Sequence, residues 1–221
     1  MLLKSFFYKA LNKVCTADIT RVLFLDRRTF TPLEAGEKIA CRYLTKADLE
    51  TLSSVNRFGI HDNFVKDFEK YRFLCIGAIV NSEIVGIIFL GSGTVPARHN
   101  SGGPAHHGIG VKTPKACFYM FKVNVLPEFR GRRVNPAMIS FAFESLRPSM
   151  LQSIVTTTDW TNDAFYKSAC RLGFIQRGHA AEFVFAGTHL YHLPKALDAA
   201  NGDVRPHATE QDEDVIRFKG E

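Results

Sequence analysis

The chain has 221 residues, of which 46% are hydrophobic and 12% aromatic, and this is enough apolar material for one well-buried domain. No apolar run approaches the roughly 18 to 20 residues of a membrane-spanning helix. The five cysteines stand singly along the chain, which argues against a disulfide framework and predicts unpaired thiols in a reducing, cytoplasmic compartment. The net charge of +6 suits an anionic partner but is too small to indicate nucleic acid.

The N-terminal segment, residues 1–20, is predicted to be a basic amphipathic helix packed on the domain. Lys4, Lys9 and Lys13 interrupt apolar residues that recur at helical spacing: Leu2, Leu3, Phe6, Phe7, Ala10, Leu11 and Val14. The stretch lacks the unbroken apolar region and the small-residue cleavage site of a signal peptide. Weak contact of the same face with a membrane surface is the alternative interpretation.

Residues 21–197 are predicted to form a single domain in which helical and strand patterns alternate. In chain order we predict helices over 45–55 and 62–71, a strand hairpin over 73–80 and 84–93, a Gly-, Pro- and His-rich loop over 94–115, a strand over 117–125, a helix over 136–146, a strand over 153–160, a helix over 161–173, and strands over 174–187 and 188–193. This order predicts an α/β fold with a mixed sheet and helices on both faces. The polar segment 198–221 is predicted to be a tail of low order.

The stretch "NVLPEFRGRRVNPAM" (124–138) joins a strand to a helix through a basic turn that contains glycine. Backbone N–H groups at the start of a helix are unpaired and, with the helix dipole, attract anions. Arg130, Arg132 and Arg133 add charged donors suited to phosphate oxygens. The stretch therefore predicts an anion site, with a solvated basic turn as the alternative.

Two ordered motifs resemble the GNAT superfamily of acyl-CoA-dependent N-acyltransferases. That family has a strand ending in Val-x-Pro-Glu-aromatic, then Arg/Gln-x-x-Gly-x-Gly/Ala, and later an Asn eleven residues before a Gly-Phe pair. The matching residues are Val125, Pro127, Glu128, Phe129, Arg130 and Gly131 in the first motif, and Asn162, Gly173 and Phe174 in the second. The resemblance covers roughly residues 73–174.

The resemblance implies a GNAT-like, mostly antiparallel central sheet that is splayed in the middle, with helices on both faces. It also implies transfer of an acetyl group from acetyl-CoA to an amine by direct attack, with longer acyl-CoAs as a variant. The coenzyme A pyrophosphate would lie on the loop formed by Arg130, Gly131, Arg132, Arg133, Val134 and Asn135. Backbone groups of Val123 and Val125 would hold the pantetheine arm, and Asn162 would reach the same arm.

The sequence departs from the family pattern at three positions. Arg133 and Asn135 stand where the family has Gly and Gly/Ala, and a side chain there restricts how closely the backbone approaches phosphate. Ala169 replaces the Tyr that many members use to protonate the leaving thiolate. Tyr166 is the substitute acid that we predict, and Cys170 is the other neighbour with a proton to donate.

An amine that is bound as ammonium must lose a proton before it attacks, so the site needs a base. Asp159 is the predicted base because it follows a strand directly before the cofactor helix, although it could instead cap that helix. Glu182 and His179 are weaker candidates, and the pair His106-His107 could line an acceptor pocket. No metal site is predicted, because adjacent histidines without a partner at ligand spacing are seldom zinc sites.

The predicted acceptor is an amine, either a small molecule or a protein lysine, and the oligomeric state is left open by the sequence. The alternative function is a non-catalytic domain of the same fold that binds acyl-CoA or a partner protein. A nucleic-acid partner is the weakest interpretation, because the basic residues lack interleaved aromatics and a recognised motif.

Overall fold

The computed structural model describes residues 16–33, 39–96, 99, 110–185, 188–192, 205–207 and 216–217. The predicted N-terminal helix falls mostly on residues 1–15, which lie outside the described residues, as do His106 and His107. Residues 16–20 belong to a strand, so the prediction of a helical segment over 1–20 is wrong at its C-terminal end.

Four helices and twelve strands are described in this part of the chain. They are β1 (Thr16–Asp26), β2 (Ala40–Tyr43), α1 (Lys46–Ser54), α2 (Asp62–Lys70), β3 (Leu74–Val80), β4 (Glu83–Ser92), β5 (Thr94–Val95), β6 (Gly110–Lys112), β7 (Cys117–Val125), α3 (Val134–Ser145), β8 (Ser153–Asp159), α4 (Asp163–Arg171), β9 (Ile175–Phe185), β10 (Thr188–His192), β11 (Arg205–His207) and β12 (Ile216–Arg217). Short 3-10 turns cover Arg57–Gly59 and Pro127–Phe129.

Nine of these strands form one sheet in the order β12-β10-β9-β1-β8-β7-β4-β3-β2, and β11, β6 and β5 form a second, smaller sheet. Within the large sheet, the β7–β8 and β10–β12 pairs are parallel and the others are antiparallel. The predicted mixed, mostly antiparallel sheet is confirmed.

The sequence interpretation missed the short strands β2, β5 and β6, the last two within the predicted loop 94–115. It also missed strand β1, although β1 lies between β9 and β8 near the middle of the sheet. Val22 packs into the apolar cluster on one face of the sheet, whereas Leu23 and Leu25 pack into the cluster on the other. A strand that is buried on both faces reads as a nearly continuous apolar run, "VLFL", and therefore shows no alternation of polar and apolar residues.

Helices cover both faces of the sheet, as the sequence predicts. Leu49 of α1 and Phe64 of α2 are buried in the first cluster, together with Phe89 and Phe121 from the sheet. Met138 of α3 and Ala169 of α4, with Leu172 just beyond it, are buried in the second cluster. α1 and α2 thus lie on one face of the sheet, and α3 and α4 lie on the other.

Arg27, just after β1, fastens the C-terminal end of α3. Its guanidinium donates hydrogen bonds to the carbonyl oxygens of Phe143 (2.6 Å), Leu146 (2.8 Å) and Leu151 (3.0 Å). The last carbonyls of a helix have no partner inside the helix, so a single cation satisfies acceptors that would otherwise be exposed or unpaired.

The segment 198–221 contains two short strands among its described residues, so the prediction of a tail of low order is wrong there. Arg205–His207 pairs with β6, and Ile216–Arg217 pairs with β10. Cys41, Cys75, Cys117 and Cys170 are unpaired, as predicted for the described cysteines. In the described part of the chain, none of the helices has the length and apolar character needed to cross a bilayer.

Candidate active site

The two parallel strands at the centre of the sheet separate at their C-terminal ends. The β7–β8 pairing runs from Cys117 opposite Ser153 to Met120 opposite Thr156 and ends there, although β7 continues to Val125 and β8 to Asp159. A cavity of about 600 Å³ lies at this divergence. The predicted splay in the middle of the sheet is confirmed.

A β-bulge in β7 shapes one wall of the cavity. Phe121 pairs with Phe89 and Asn124 pairs with Ile87, so Lys122 and Val123 together lie opposite Ile88. Lys122 has a left-handed backbone (φ 50°), which glycine adopts more readily than other residues. Its ammonium lies 5.0 Å from the centre of the Phe64 ring, on the same face of the sheet as Phe121.

The predicted pantetheine residues lie on this strand. Val123 lines the cavity and is half-buried. Val125 pairs with Gly86, and its carbonyl oxygen accepts a hydrogen bond from Arg130 Nε at 3.1 Å. The Arg130 side chain therefore fixes the basic loop to the end of the splayed strand.

The basic loop keeps a glycine-like backbone at a position where the sequence has arginine. Arg133 immediately precedes α3 with φ 63° and ψ 26°, and Gly131 has φ 78°. A left-handed residue costs a side-chain-bearing amino acid roughly 1–2 kcal/mol more than glycine. Arg133 therefore adopts the left-handed backbone at a cost in backbone strain, and the turn into α3 is retained.

Gly86 brings the start of α3 against the sheet. A Cβ on Gly86 would lie 2.8 Å from Val134 Cγ1 and 3.3 Å from Val125 Cγ2, so only glycine leaves room for this contact. Val134 is buried, whereas Arg130, Gly131, Arg132 and Arg133 are exposed. The N-terminus of α3 and the arginines consequently lie beside the end of β7.

Asn135, in the first turn of α3, is half-buried, and its Oδ1 atom is buried without a hydrogen-bond partner among the described residues. A buried acceptor without a donor costs roughly 1–3 kcal/mol. The amide is thus an unsatisfied polar group at the helix end that carries the predicted phosphate site.

The second motif has clear structural roles. Asn162 caps α4, because its side chain accepts a hydrogen bond from Phe165 N at 3.1 Å, and it also lines the cavity. Gly173 has φ 96°, and a Cβ there would lie 2.2 Å from the carbonyl oxygen of Thr29. The Gly-Phe pair is therefore required by packing against the chain after β1.

Comparison with known proteins supports this architecture. No protein-family model matches the sequence, and no curated protein sequence matches it. A GCN5-related N-acetyltransferase from Kribbella flavida has a TM-score of 0.52 and 12% identity, with coverage of 83% of this chain and 64% of that one. A functionally unknown conserved protein from Staphylococcus epidermidis has a TM-score of 0.51 and 10% identity, with coverage of 82% and 67%. The chain has the GNAT fold. It spans less than two thirds of the Kribbella protein's length.

Within the GNAT fold, Asp159 lies on the cavity at the end of β8. One of its carboxylate oxygens, Oδ1, accepts hydrogen bonds from the backbone N–H of Thr161 (2.7 Å) and from the Thr161 hydroxyl. Asp159 therefore holds the turn before α4, as the capping alternative predicts.

Tyr166, the predicted acid, is not among the described residues that line the cavity. Its ring packs beneath the Arg21 guanidinium, 4.5 Å from the ring centre, and against the second apolar cluster. A hydrogen bond with the Cys170 thiol is the main cause that raises the pKa of Tyr166. Arg21 in turn binds Asp163 at 2.6 Å, so Tyr166 belongs to the contacts that position α4.

The other candidate bases lie elsewhere in the GNAT fold. Glu182 is buried in β9 opposite Asp18 of β1, and exposed His179 contacts Gln176 at 3.2 Å through its Nε2 atom. Neither is among the described residues that line the cavity. No group of three His, Cys, Asp or Glu side chains suited to a metal ion is found in the described ranges.

Several residues that line the cavity have no local sequence signal. Lys122 and Tyr119 line it from β7, and His61 lines it from the position just before α2. The Tyr119 hydroxyl is hydrogen-bonded to Thr157, and burial raises the pKa of Tyr119 well above its ordinary value. His99 also lines the cavity, and its side chain is only 3% exposed. Its Nε2 atom lies 2.9 Å from Asp67 Oδ2. The left-handed backbone of Lys122 within β7 cannot be recognised from the sequence, because it depends on the register of β7 against the neighbouring strand β4.

Proposed function

We propose that the protein is an acyl-CoA-dependent N-acyltransferase that transfers an acetyl group from acetyl-CoA to an amine by direct attack. The observation that carries this proposal is the divergence of β7 from β8 directly beside the Arg130–Asn135 loop, whose left-handed Arg133 leads into α3. An extended strand edge and a cationic helix start together suit a long ligand with a pyrophosphate at one end.

Each part of the chain has a defined task in this proposal. The N-terminus of α3, with Arg130, Arg132 and Arg133, holds the pyrophosphate, while the edge of β7 at Val123 and Val125 holds the pantetheine arm. A backbone N–H near the β7 bulge polarises the thioester carbonyl. Asp159 accepts a proton from the bound ammonium, and the neutral nitrogen forms the new C–N bond. The C–S bond then breaks, and the leaving thiolate takes the second proton that the nitrogen releases.

The cysteines are not needed as nucleophiles in this scheme. Burial raises the pKa of the Cys117 thiol to about 11 and that of Cys41 to about 11. Thiols with such values are almost entirely protonated at neutral pH and react slowly. The direct-transfer scheme therefore uses neither Cys117 nor Cys41 as a nucleophile, and Asp159 on the cavity is the proposed base.

Calorimetric titration with acetyl-CoA tests the proposal. We expect saturable binding that weakens by about tenfold or more in Arg130→Ala and in Arg133→Ala, because each loses a charged contact with phosphate. Arg147→Ala is the matched control, since Arg147 is an exposed arginine beyond the opposite end of α3. Absence of saturable binding for acetyl-CoA and for longer acyl-CoAs would refute the proposal.

A non-catalytic acyl-CoA binder is the second candidate, and Ala169 with the displaced Tyr166 favours it. Ala169 is buried and has no proton to donate. Release of CoA thiol in the presence of a panel of amines separates the two functions. Tight acetyl-CoA binding with a release rate no higher than the rate without protein would identify the binder.

A further inference from the structure

The end of the cavity that faces α2 carries a lysine without an acidic partner. Lys122 is half-buried at the β7 bulge and lines the cavity. Among the described residues, no carboxylate forms an ion pair with it. Desolvation lowers the pKa of Lys122. A buried cation normally has a counter-ion.

The surroundings of Lys122 are built around its ammonium group. The Phe64 ring lies 5.0 Å from Nζ on one side, which favours a cation at this point. The Gly59 backbone is also near, because a Cβ on Gly59 would lie 4.0 Å from Nζ, and Gly59 has φ 64°. Phe58 and Lys122 also have left-handed backbones. The two chain segments that enclose the ammonium are therefore held in conformations that stable packing alone does not favour.

His61 adds a second donor at the same end of the cavity. Its Nδ1 atom accepts a hydrogen bond from Phe64 N at 3.3 Å, so the proton of the neutral ring resides on Nε2. His61 follows Gly59 by two residues and lines the same cavity. Lys122 and His61 together supply donors suited to an anionic oxygen.

We propose that the amine acceptor carries an anionic group, a carboxylate or a phosphate, that binds to Lys122 at the α2 end of the cavity. This inference rests on the proposed acyltransferase function and specifies the substrate class. A plain cationic amine would be repelled by Lys122. An amine with an anionic group would instead neutralise Lys122 and leave its amino group to approach Asp159, the carboxylate on the β8 side of the cavity.

The test is calorimetric titration with matched acceptor pairs, with and without saturating CoA. Amino acids are compared with their amides for the carboxylate arm, and phosphoethanolamine is compared with ethanolamine for the phosphate arm. We expect the anionic member of at least one pair to bind about tenfold or more tightly than its neutral partner. Lys122→Met should abolish this preference, whereas Lys122→Arg should retain most of it. Lys115→Met, at an exposed lysine before β7, is the control.

The outcomes separate the two proposals. Equal affinity of both members in every pair, or no binding of any member, overturns the inference about the acceptor and leaves acetyl-CoA binding as an independent result. An anion preference that survives in Lys122→Met also overturns it. A Lys122-dependent anion preference in a protein that binds no acyl-CoA would keep the anion site and refute the proposed acyltransferase.

Discussion

Arg133 and Lys122 have left-handed backbones at positions where glycine would be accommodated without strain. Arg133 immediately precedes α3, and Lys122 lies in the β7 bulge at the cavity. Both side chains carry a positive charge that the proposed ligands require, so strain at these positions accompanies a chemical role. At the residue scale, the fold imposes the left-handed backbone at these two positions, and the arginine and lysine side chains supply the positive charge.

Paired substitutions at Arg133 test this separation of backbone and charge. The free energy of unfolding of Arg133→Gly should be about 1–2 kcal/mol higher than that of Arg133→Val, because a β-branched residue tolerates the left-handed region poorly. Urea unfolding measures the difference. Both variants lose the guanidinium and should bind acetyl-CoA more weakly than the parent. Equal stability of the two variants would show that the strained angle is not maintained in solution.

The predicted role of Tyr166 as the acid can be tested directly. Tyr166→Phe removes the hydroxyl that contacts Cys170 and keeps the ring beneath Arg21, so we expect kcat to change by no more than about twofold. A residue that protonates the leaving group contributes about a hundredfold or more. A loss of that size in steady-state kinetics would restore Tyr166 as the acid.

At the scale of elements, α3 is fixed at both ends by other parts of the chain. The first turn of α3 packs against Gly86 through Val134, and Arg27 binds carbonyl oxygens at the C-terminal end of the helix. The helix that bears the proposed pyrophosphate site is thereby aligned with β7. Loss of either contact should loosen the loop relative to the splayed strand.

Arg27→Ala should lower the free energy of unfolding by about 2–4 kcal/mol, because three carbonyl acceptors lose a charged donor. Arg28→Ala is the control: Arg28 is exposed and pairs only with Asp26 in the described hydrogen bonds and salt bridges, so its loss should leave the free energy of unfolding almost unchanged. Chemical denaturation of both variants gives the comparison. A cost for Arg27→Ala as small as that for Arg28→Ala would contradict the anchoring role.

At the scale of the whole molecule, the cavity lies between the two helical layers, with Phe64 of α2 and Phe165 of α4 in its lining. α3 and α4 pack on the face that carries the cationic loop, and α2 packs on the face that carries Lys122. The separated ends of β7 and β8 connect these faces. A ligand that spans the cavity would therefore join elements that are distant in sequence.

Such a ligand should stabilise the entire fold. At a concentration of about 100 times Kd, acetyl-CoA should add about 2.7 kcal/mol to the free energy of unfolding. For a domain of this size the thermal midpoint should rise by about 5–10 °C. Scanning calorimetry measures the shift, and the double variant Arg130→Ala/Arg133→Ala is the control. A shift of the same size in the double variant would place the ligand away from the loop.

The sequence alone determined most of the helices and strands, the cationic loop and the family likeness, because these depend on local periodicity and on residues close together in the chain. It did not reveal β1, since a strand buried on both faces lacks an alternating pattern. The tertiary structure alone decided which side chains meet at the cavity. Lys122 faces it because the β7 bulge shifts the register against β4, and Tyr166 faces away because Arg21 of β1 packs over its ring. Register and packing between distant segments set both positions, and neither is encoded in the spacing of neighbouring residues.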